Sequence, residues 1–187
     1  MRRLYIKSVT LVELLIAVTL ISLVALGFSS LDIFSRYHVI SADRRSKLQN
    51  ELSYALEDVH KNLLYGTGNY DNPPLVQLID GFKVRVDNNS VQTPQDFSDD
   101  AWISYTLSGN QFSSSASGVL ASHILSGVEF TATPSNPASG LYILFSNNNT
   151  VVEVGLVARW KPGEAQSIDN PQAAMKSRIY TRNSAAK

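Results

Sequence analysis

The sequence predicts an α+β protein in which one long N-terminal helix packs on an antiparallel β-sheet. Three observations lead to this fold class. Residues 9–28 are almost continuously apolar, the next forty residues carry apolar side chains at spacings of three and four, and the rest of the chain alternates apolar with polar residues. A chain of 187 residues suffices for one ordinary domain with an appendage and leaves no room for a second catalytic domain.

The composition excludes several classes of function. Sixteen Lys and Arg residues balance sixteen Asp and Glu residues, and no basic run interrupts that balance, so we do not expect nucleic-acid binding. The chain contains no cysteine, which excludes disulfides, thiolate nucleophiles and thiolate zinc sites. The fold must therefore be held together by packing alone.

The first element is a membrane-spanning helix preceded by a short cationic leader. Residues 1–8 carry only the charges of Arg2, Arg3 and Lys7, and residues 9–28 provide the roughly 20 apolar residues that a spanning helix needs. The positive charges predict that the N-terminus stays in the cytoplasm and that everything after Phe28 lies on the other side of the membrane. A secretory signal peptide would have a shorter apolar core, of about 7 to 15 residues.

Glu13 is the unusual residue of this helix. A carboxylate in a membrane-spanning segment is costly unless it is paired, and no Lys, Arg or His lies between Glu13 and Arg36. The sequence therefore predicts that its partner comes from another chain or from a newly formed amino terminus. The alternative is a tolerated carboxylate at the membrane interface of an ordinary anchor.

The segment around Glu13, Lys7-Ser-Val-Thr-Leu-Val-Glu-Leu-Leu-Ile-Ala17, resembles the processing motif of type IV prepilins and type II secretion pseudopilins. The resemblance implies cleavage between Ser8 and Val9 by a prepilin peptidase and N-methylation of Val9. It makes Glu13 the fifth residue of the mature chain, the position at which the family has a glutamate. Family members usually have glycine before the cut and phenylalanine after it, where this chain has Ser8 and Val9.

The same resemblance implies a role for Glu13 in assembly. Its carboxylate would pair with the amino group of Val9 on a neighbouring subunit and so set the axial register of a filament. The specific motif covers only about residues 7–30. The remaining likeness, to W-type minor pilins and J-type pseudopilins, is one of pattern.

The helix continues as an amphipathic segment over residues 29–65. No helix breaker follows Phe28, and an apolar stripe predicts a face that packs on another surface. The stripe consists of Leu48, Leu52, Ala55, Leu56, Val59 and Leu63. Gly66 and Gly68 predict that the helix ends near Tyr65.

Residues 66–187 are predicted to form the β-rich head. Alternation predicts strands around Phe82–Val86, Ile103–Leu107, Val128–Phe130, Leu141–Phe145 and Val152–Ala158, joined as an antiparallel meander, with a last short strand over Lys176–Arg182. The serine tract Ser113–Ser117 and the polar residues 88–100 are predicted as surface loops, and Asn147–Asn149 as a turn. Trp102 and Trp160 are predicted to be buried on sheet faces.

No catalytic motif occurs, and the chain is not expected to be an enzyme or to need a cofactor. His38, His60 and His123 are too scattered to predict a metal site. Asp96, Asp99 and Asp100 could begin a calcium site, because some pseudopilins bind calcium in their heads, but their spacing lacks a complete ligand loop and a solvated acidic turn explains them equally.

The expected function is that of a minor pilin or pseudopilin that helps to initiate or cap a filament. Its expected partners are other pilin-like subunits, the prepilin peptidase and the assembly platform of a bacterial inner membrane. The expected location is that membrane, with the head on its periplasmic side, and then the pilus or pseudopilus. Two alternatives stay open: a binding or enzymatic domain on an uncleaved signal anchor, and a competence pseudopilin for DNA uptake.

Overall fold

The structure is a computed structural model that describes residues 10–68, 73–87, 96–131, 139–145 and 151–180. Within these residues the chain forms one helix followed by nine strands. The helix is α1 (Leu11–Leu64), and the strands are β1 (Leu75–Leu78), β2 (Gly81–Val86), β3 (Ala101–Ser108), β4 (Gln111–Ser114), β5 (Gly118–Ala121), β6 (Val128–Glu129), β7 (Leu141–Phe145), β8 (Val151–Arg159) and β9 (Gln172–Tyr180). This α+β order confirms the predicted fold class.

Helix α1 is 54 residues long and ends one residue before Tyr65, as predicted. Gly66 follows, and its backbone N–H donates to the carbonyl oxygen of Leu63 in a closing turn. By its internal contacts the chain divides into two compact units, residues 1–40 and 41–187. The second unit contains the C-terminal part of α1 together with both sheets.

The apolar stripe of α1 is buried as the sequence predicts. Each of its six members is at most 5% exposed: Leu48, Leu52, Ala55, Leu56, Val59 and Leu63. Their spacing of three and four residues keeps them on one helix face, and that face joins the core side chains of the strands. Burying this face holds the helix on the head.

The strands form two sheets. Strands β1 to β5 make a five-stranded antiparallel meander, and β6 to β9 make a four-stranded sheet in chain order. The predicted antiparallel arrangement holds for every pair except β6 and β7, which are parallel over two residue pairs, Val128 with Leu141 and Glu129 with Tyr142. A parallel pair requires the chain to return to the same end of the sheet, and the long connection between these strands allows it.

Aromatic packing fills the core beneath the first sheet. The rings of Phe82, Tyr105 and Phe112 stack in a row, with centroid separations of 5.0 and 5.9 Å. All three side chains are fully buried. They come from β2, β3 and β4, so the stack runs across the strands and fixes their register.

Two predictions about strands and loops need correction. Ser113 and Ser114 belong to β4 and not to a surface loop, and Ser114 is only 4% exposed because it faces the core opposite Tyr105. The last strand is longer than predicted and begins at Gln172, because all nine of its residues pair with β8. Its predicted end at Arg182 and the predicted turn at Asn147–Asn149 lie outside the described residues.

The loop prediction for residues 88–100 can be followed only in part. Asp96–Asp100 is described and contains no strand, in agreement with the prediction, while residues 88–95 lie outside the described part of the chain.

Candidate membrane and assembly segment

The N-terminal part of α1 has an apolar surface that nothing in its own unit covers. Its large apolar side chains, from Leu11 to Ile40, are between 46% and 80% exposed. Among the described residues, α1 is the one helix long and apolar enough to cross a membrane. An exposed apolar helix of this length is compatible with a membrane anchor.

Four hydroxyl groups of this segment, between residues 19 and 30, are satisfied within the helix. Thr19 donates to the carbonyl oxygen of Ile16 at 2.9 Å, and Ser22 donates to that of Val18 at 2.8 Å. Ser29 and Ser30 likewise donate to carbonyl oxygens one turn earlier. Because each hydroxyl has an acceptor, these residues add little to the cost of placing the helix in lipid.

Glu13 caps the start of its own helix together with Thr10. The backbone N–H and the hydroxyl of Thr10 both donate to Oε2 of Glu13, at 2.9 and 3.0 Å. In return the backbone N–H of Glu13 donates to Oγ1 of Thr10 at 3.2 Å. This reciprocal arrangement is a capping box, which satisfies amide groups that have no partner inside the helix.

Thr10 is a functional residue that the sequence reasoning missed. The signal was present, because Thr10-Leu11-Val12-Glu13 matches the pattern Ser/Thr-x-x-Glu that precedes an apolar helix. Ser8 and Val9, the predicted cleavage and methylation positions, lie outside the described residues. The predicted partner of Glu13 on a neighbouring subunit stays a prediction.

The three acidic residues considered for calcium do not converge on one point. Asp96 accepts two hydrogen bonds from Ser98, from its backbone N–H at 3.1 Å and its hydroxyl at 2.6 Å. These bonds lower the pKa of Asp96. Oδ2 of Asp100 instead accepts from the hydroxyl of Thr67 at 2.9 Å. No group of three metal-binding side chains occurs in the described part of the chain.

Trp160 is partly buried and packs against the core, so the prediction that it is buried holds only in part. Its indole stacks on the ring of His123 with centroids 5.1 Å apart, and the cationic groups of Arg44 and Lys47 lie 5.5 and 5.8 Å from its centroid. Nδ1 of His123 lies 3.1 Å from Oε2 of Glu51. Arg44, Lys47 and Glu51 of α1 therefore contact the stacked rings of His123 and Trp160, which belong to the head.

Trp102, in β3, is likewise only partly buried. Lys83 and Arg85 on the neighbouring strand β2 place their cationic groups 4.5 and 4.7 Å from the indole centroid. The guanidinium of Arg85 also lies 5.0 Å from the ring of Phe97. Both tryptophans thus serve as platforms for basic side chains, which requires an indole that is only partly covered.

A partly buried polar network joins α1 to the first sheet. The hydroxyl of Tyr105 donates to Oδ1 of Asp58 at 2.7 Å and accepts from Nδ2 of Asn62 at 2.6 Å. Ser117 donates to Oδ2 of the same aspartate at 2.8 Å. Burial, and then the neighbouring Asp58 carboxylate, raise the pKa of Tyr105 well above its ordinary value. The contacts are structural, because the phenol is enclosed and has no access to a substrate.

Comparisons with protein-family models, with curated proteins and with solved structures find no match for this chain. Its function is therefore inferred from its own residues and from the resemblance of its N-terminal motif.

Proposed function

We propose that this chain is a minor pilin or pseudopilin, a structural subunit that assembles through its N-terminal helix into a type IV pilus or a type II secretion pseudopilus. The observation that carries the proposal is Glu13, a carboxylate at the start of an exposed apolar helical segment that has no other charge before Asp32. Such a helix explains anchoring in a membrane. The acid adds a reason for the helix to associate with a partner.

Support for assembly comes from the cost of the unpaired charge. In the single subunit, two hydrogen bonds from Thr10 compensate the Glu13 carboxylate without neutralising it. A cationic amino group from a neighbouring chain would neutralise it, and the gain is largest in a medium of low dielectric constant. We therefore propose that the amino group of processed Val9 on a neighbouring subunit supplies that charge.

The head supplies a surface and no chemistry in this proposal. Its partners are other pilin-like subunits and the assembly platform in the bacterial inner membrane, and the prepilin peptidase acts on the leader. The subunit begins in that membrane with its head on the periplasmic side and then joins the filament, which it helps to initiate or cap.

The first experiment measures the mass of the N-terminal peptide of membrane-expressed protein, with and without a prepilin peptidase. We expect a chain that begins at methylated Val9 only when the peptidase is present. An intact Met1 start beside a working peptidase would contradict processing and favour the alternative of a domain on an uncleaved anchor.

The second experiment separates charge pairing from helix capping at Glu13. Glu13→Ala removes both, whereas Glu13→Gln retains the capping-box geometry and removes only the charge, because glutamine also serves at this position of the box. We expect both variants to be processed and both to lose incorporation into filaments. Normal incorporation of Glu13→Gln would assign the residue to capping alone and would remove the pairing role.

A further inference from the structure

The charge-free part of α1 is the right length for the hydrocarbon layer of a bilayer. Glu13 and Asp32 are the charged residues that border it, and no charged residue lies between them. Nineteen steps of 1.5 Å give about 28 Å, close to the roughly 30 Å of hydrocarbon in a typical membrane. The two carboxylates thus mark the two edges of that layer.

Beyond Asp32 the helix remains partly apolar. Ile33, Phe34, Tyr37 and Ile40 are 46% to 61% exposed, and their spacing places them on about one third of the helix circumference. Ile33, Arg36, Tyr37 and Ile40 line a shallow groove of about 320 Å³. The groove therefore has apolar walls with one cationic group at its border.

The charges in this stretch are arranged to stay in a polar layer. Nε of Arg36 lies 3.0 Å from Oδ2 of Asp32 one turn earlier, and the Arg36 side chain remains 75% exposed. Moving this ion pair into hydrocarbon would cost more free energy of desolvation than is gained by burying the nearby apolar side chains. Tilting the helix to submerge the whole stretch is therefore unfavourable.

The heights of the aromatic residues fit the headgroup layer. Along a helix, Phe34 lies about 3 Å and Tyr37 about 8 Å beyond Asp32. The headgroup layer on each side of a bilayer is about 5 to 8 Å thick. Phe34 also packs on the ring of His38, with centroids 4.2 Å apart. Tyrosine, which has an apolar ring and a polar hydroxyl, is enriched at this depth.

We infer that Ile33, Phe34 and Tyr37 form a membrane-interface segment, which binds the phospholipid headgroup layer and fixes the depth of the unassembled subunit. Arg36 lies at the level of the lipid phosphates and contacts them. This inference depends on the membrane anchoring in the proposed function, but not on filament assembly.

The absence of cysteine makes a direct test possible. Single-cysteine variants of the full chain are labelled with an environment-sensitive fluorophore and placed in phosphatidylethanolamine–phosphatidylglycerol vesicles. Nitroxide quenchers are attached to the lipids either at the headgroup or at the middle of the acyl chain. The variants are Tyr37→Cys and Ile33→Cys, with Leu20→Cys as the control within the span and Lys61→Cys, in the last turn of α1, as the control outside the membrane.

We expect headgroup nitroxide to quench the probes at residues 33 and 37 at least about twofold more strongly than mid-chain nitroxide. The probe at residue 20 should show the opposite preference, and the probe at residue 61 should be quenched by neither. Diluting the protein about tenfold into lipid should leave the values at residues 33 and 37 unchanged, because lipid is always in excess.

Three results would overturn the inference. A probe at residue 37 that resembles the one at residue 61 would place the segment in water. Headgroup quenching at residues 33 and 37 that is weak at first and increases on dilution would show that a second copy of the chain covers the segment. If the probe at residue 20 is also unquenched, the membrane anchoring of the proposed function fails as well, which distinguishes the two failures.

Discussion

Tyr105 is the residue on which the polar contacts between α1 and the first sheet converge. Its ring is fully buried between Phe82 and Phe112, while its hydroxyl reaches Asp58 and Asn62 on the helix. A buried phenol with a carboxylate as its acceptor is stabilised in the neutral form. Ionising it would place a negative charge beside another negative charge in the core.

This residue predicts a loss of stability at alkaline pH. The pKa of Tyr105 is raised above its ordinary value of 10.0. Its protonated hydroxyl therefore stabilises the folded state fully below pH 10, and this stabilisation is lost as the pH rises above that value. The unfolded chain then releases a proton that the folded chain retains, at about 1.4 kcal/mol per pH unit. Unfolding in urea from about pH 8 to pH 11 measures the effect.

Tyr105→Phe should lose part of that decline and should be about 1–3 kcal/mol less stable at neutral pH, because Asp58 and Asn62 lose their partner. Part of the decline should remain, since burial also raises the pKa of Tyr142. Tyr54→Phe, at an exposed tyrosine of α1, is the matched control. An unchanged alkaline decline in Tyr105→Phe would contradict the assignment.

Pairs of neighbouring strands depend on side chains that fit across the ladder. On the second sheet Tyr142 of β7 lies opposite Gly155 of β8, and its ring covers the glycine. Tyr142 forms a small apolar cluster with Leu125 and Val157 on this face of the sheet. The glycine leaves space that any larger residue would take from the ring.

Gly155→Ala is therefore expected to destabilise the protein. The new Cβ would lie 1.9 Å from Cζ of Tyr142, so the ring or the strand must move, at a cost of about 1–3 kcal/mol. Gly163→Ala is the control, because no atom lies within 4 Å of its Cβ position. The free energy of unfolding in urea measures both.

A double-mutant cycle checks the cause. In a Tyr142→Ala background the ring is gone, and Gly155→Ala should cost little, giving a clear coupling between the two sites. Equal costs in both backgrounds would show that the ring contact is not responsible.

The whole chain combines two compact units of different character, residues 1–40 and 41–187. Every buried apolar residue of the described chain lies at or after Leu48, and hence in the second unit. The large apolar residues of the first unit's described helix are all exposed. The unit with the exposed apolar helix, which is compatible with a membrane anchor, and the unit that folds around a core are thus separate parts of one chain.

We expect a fragment beginning at Ser41 to fold by itself. It retains the buried helix stripe and both sheets and loses only the exposed apolar stretch, so it should remain in solution without detergent and unfold cooperatively. Circular dichroism and urea unfolding of the fragment measure this. A fragment with native secondary structure but no cooperative transition would show that residues 11–40 contribute to the fold.

The sequence by itself determined the extent of α1, the six residues that it buries, the bordering Gly66 and most strand positions. These features follow from periodicities of 3.6 and 2 and from local turn signals, which act between residues close in the chain. Glu13 could be singled out for the same reason, and the capping box with Thr10 is also local. Its partner on another subunit stays a prediction, because a single chain does not contain it.

Only the tertiary structure decided how distant segments meet. Three contacts join residues from different elements: the parallel pairing of β6 with β7, the hydrogen bond of Tyr105 with Asp58, and the contacts of the Trp160 ring with His123 and with Arg44 of α1. The periodicity of a strand indicates which side chains share a face, but not what will cover that face. Which residues cover a face depends on tertiary packing, because the space must be filled and the charges paired by side chains from distant segments.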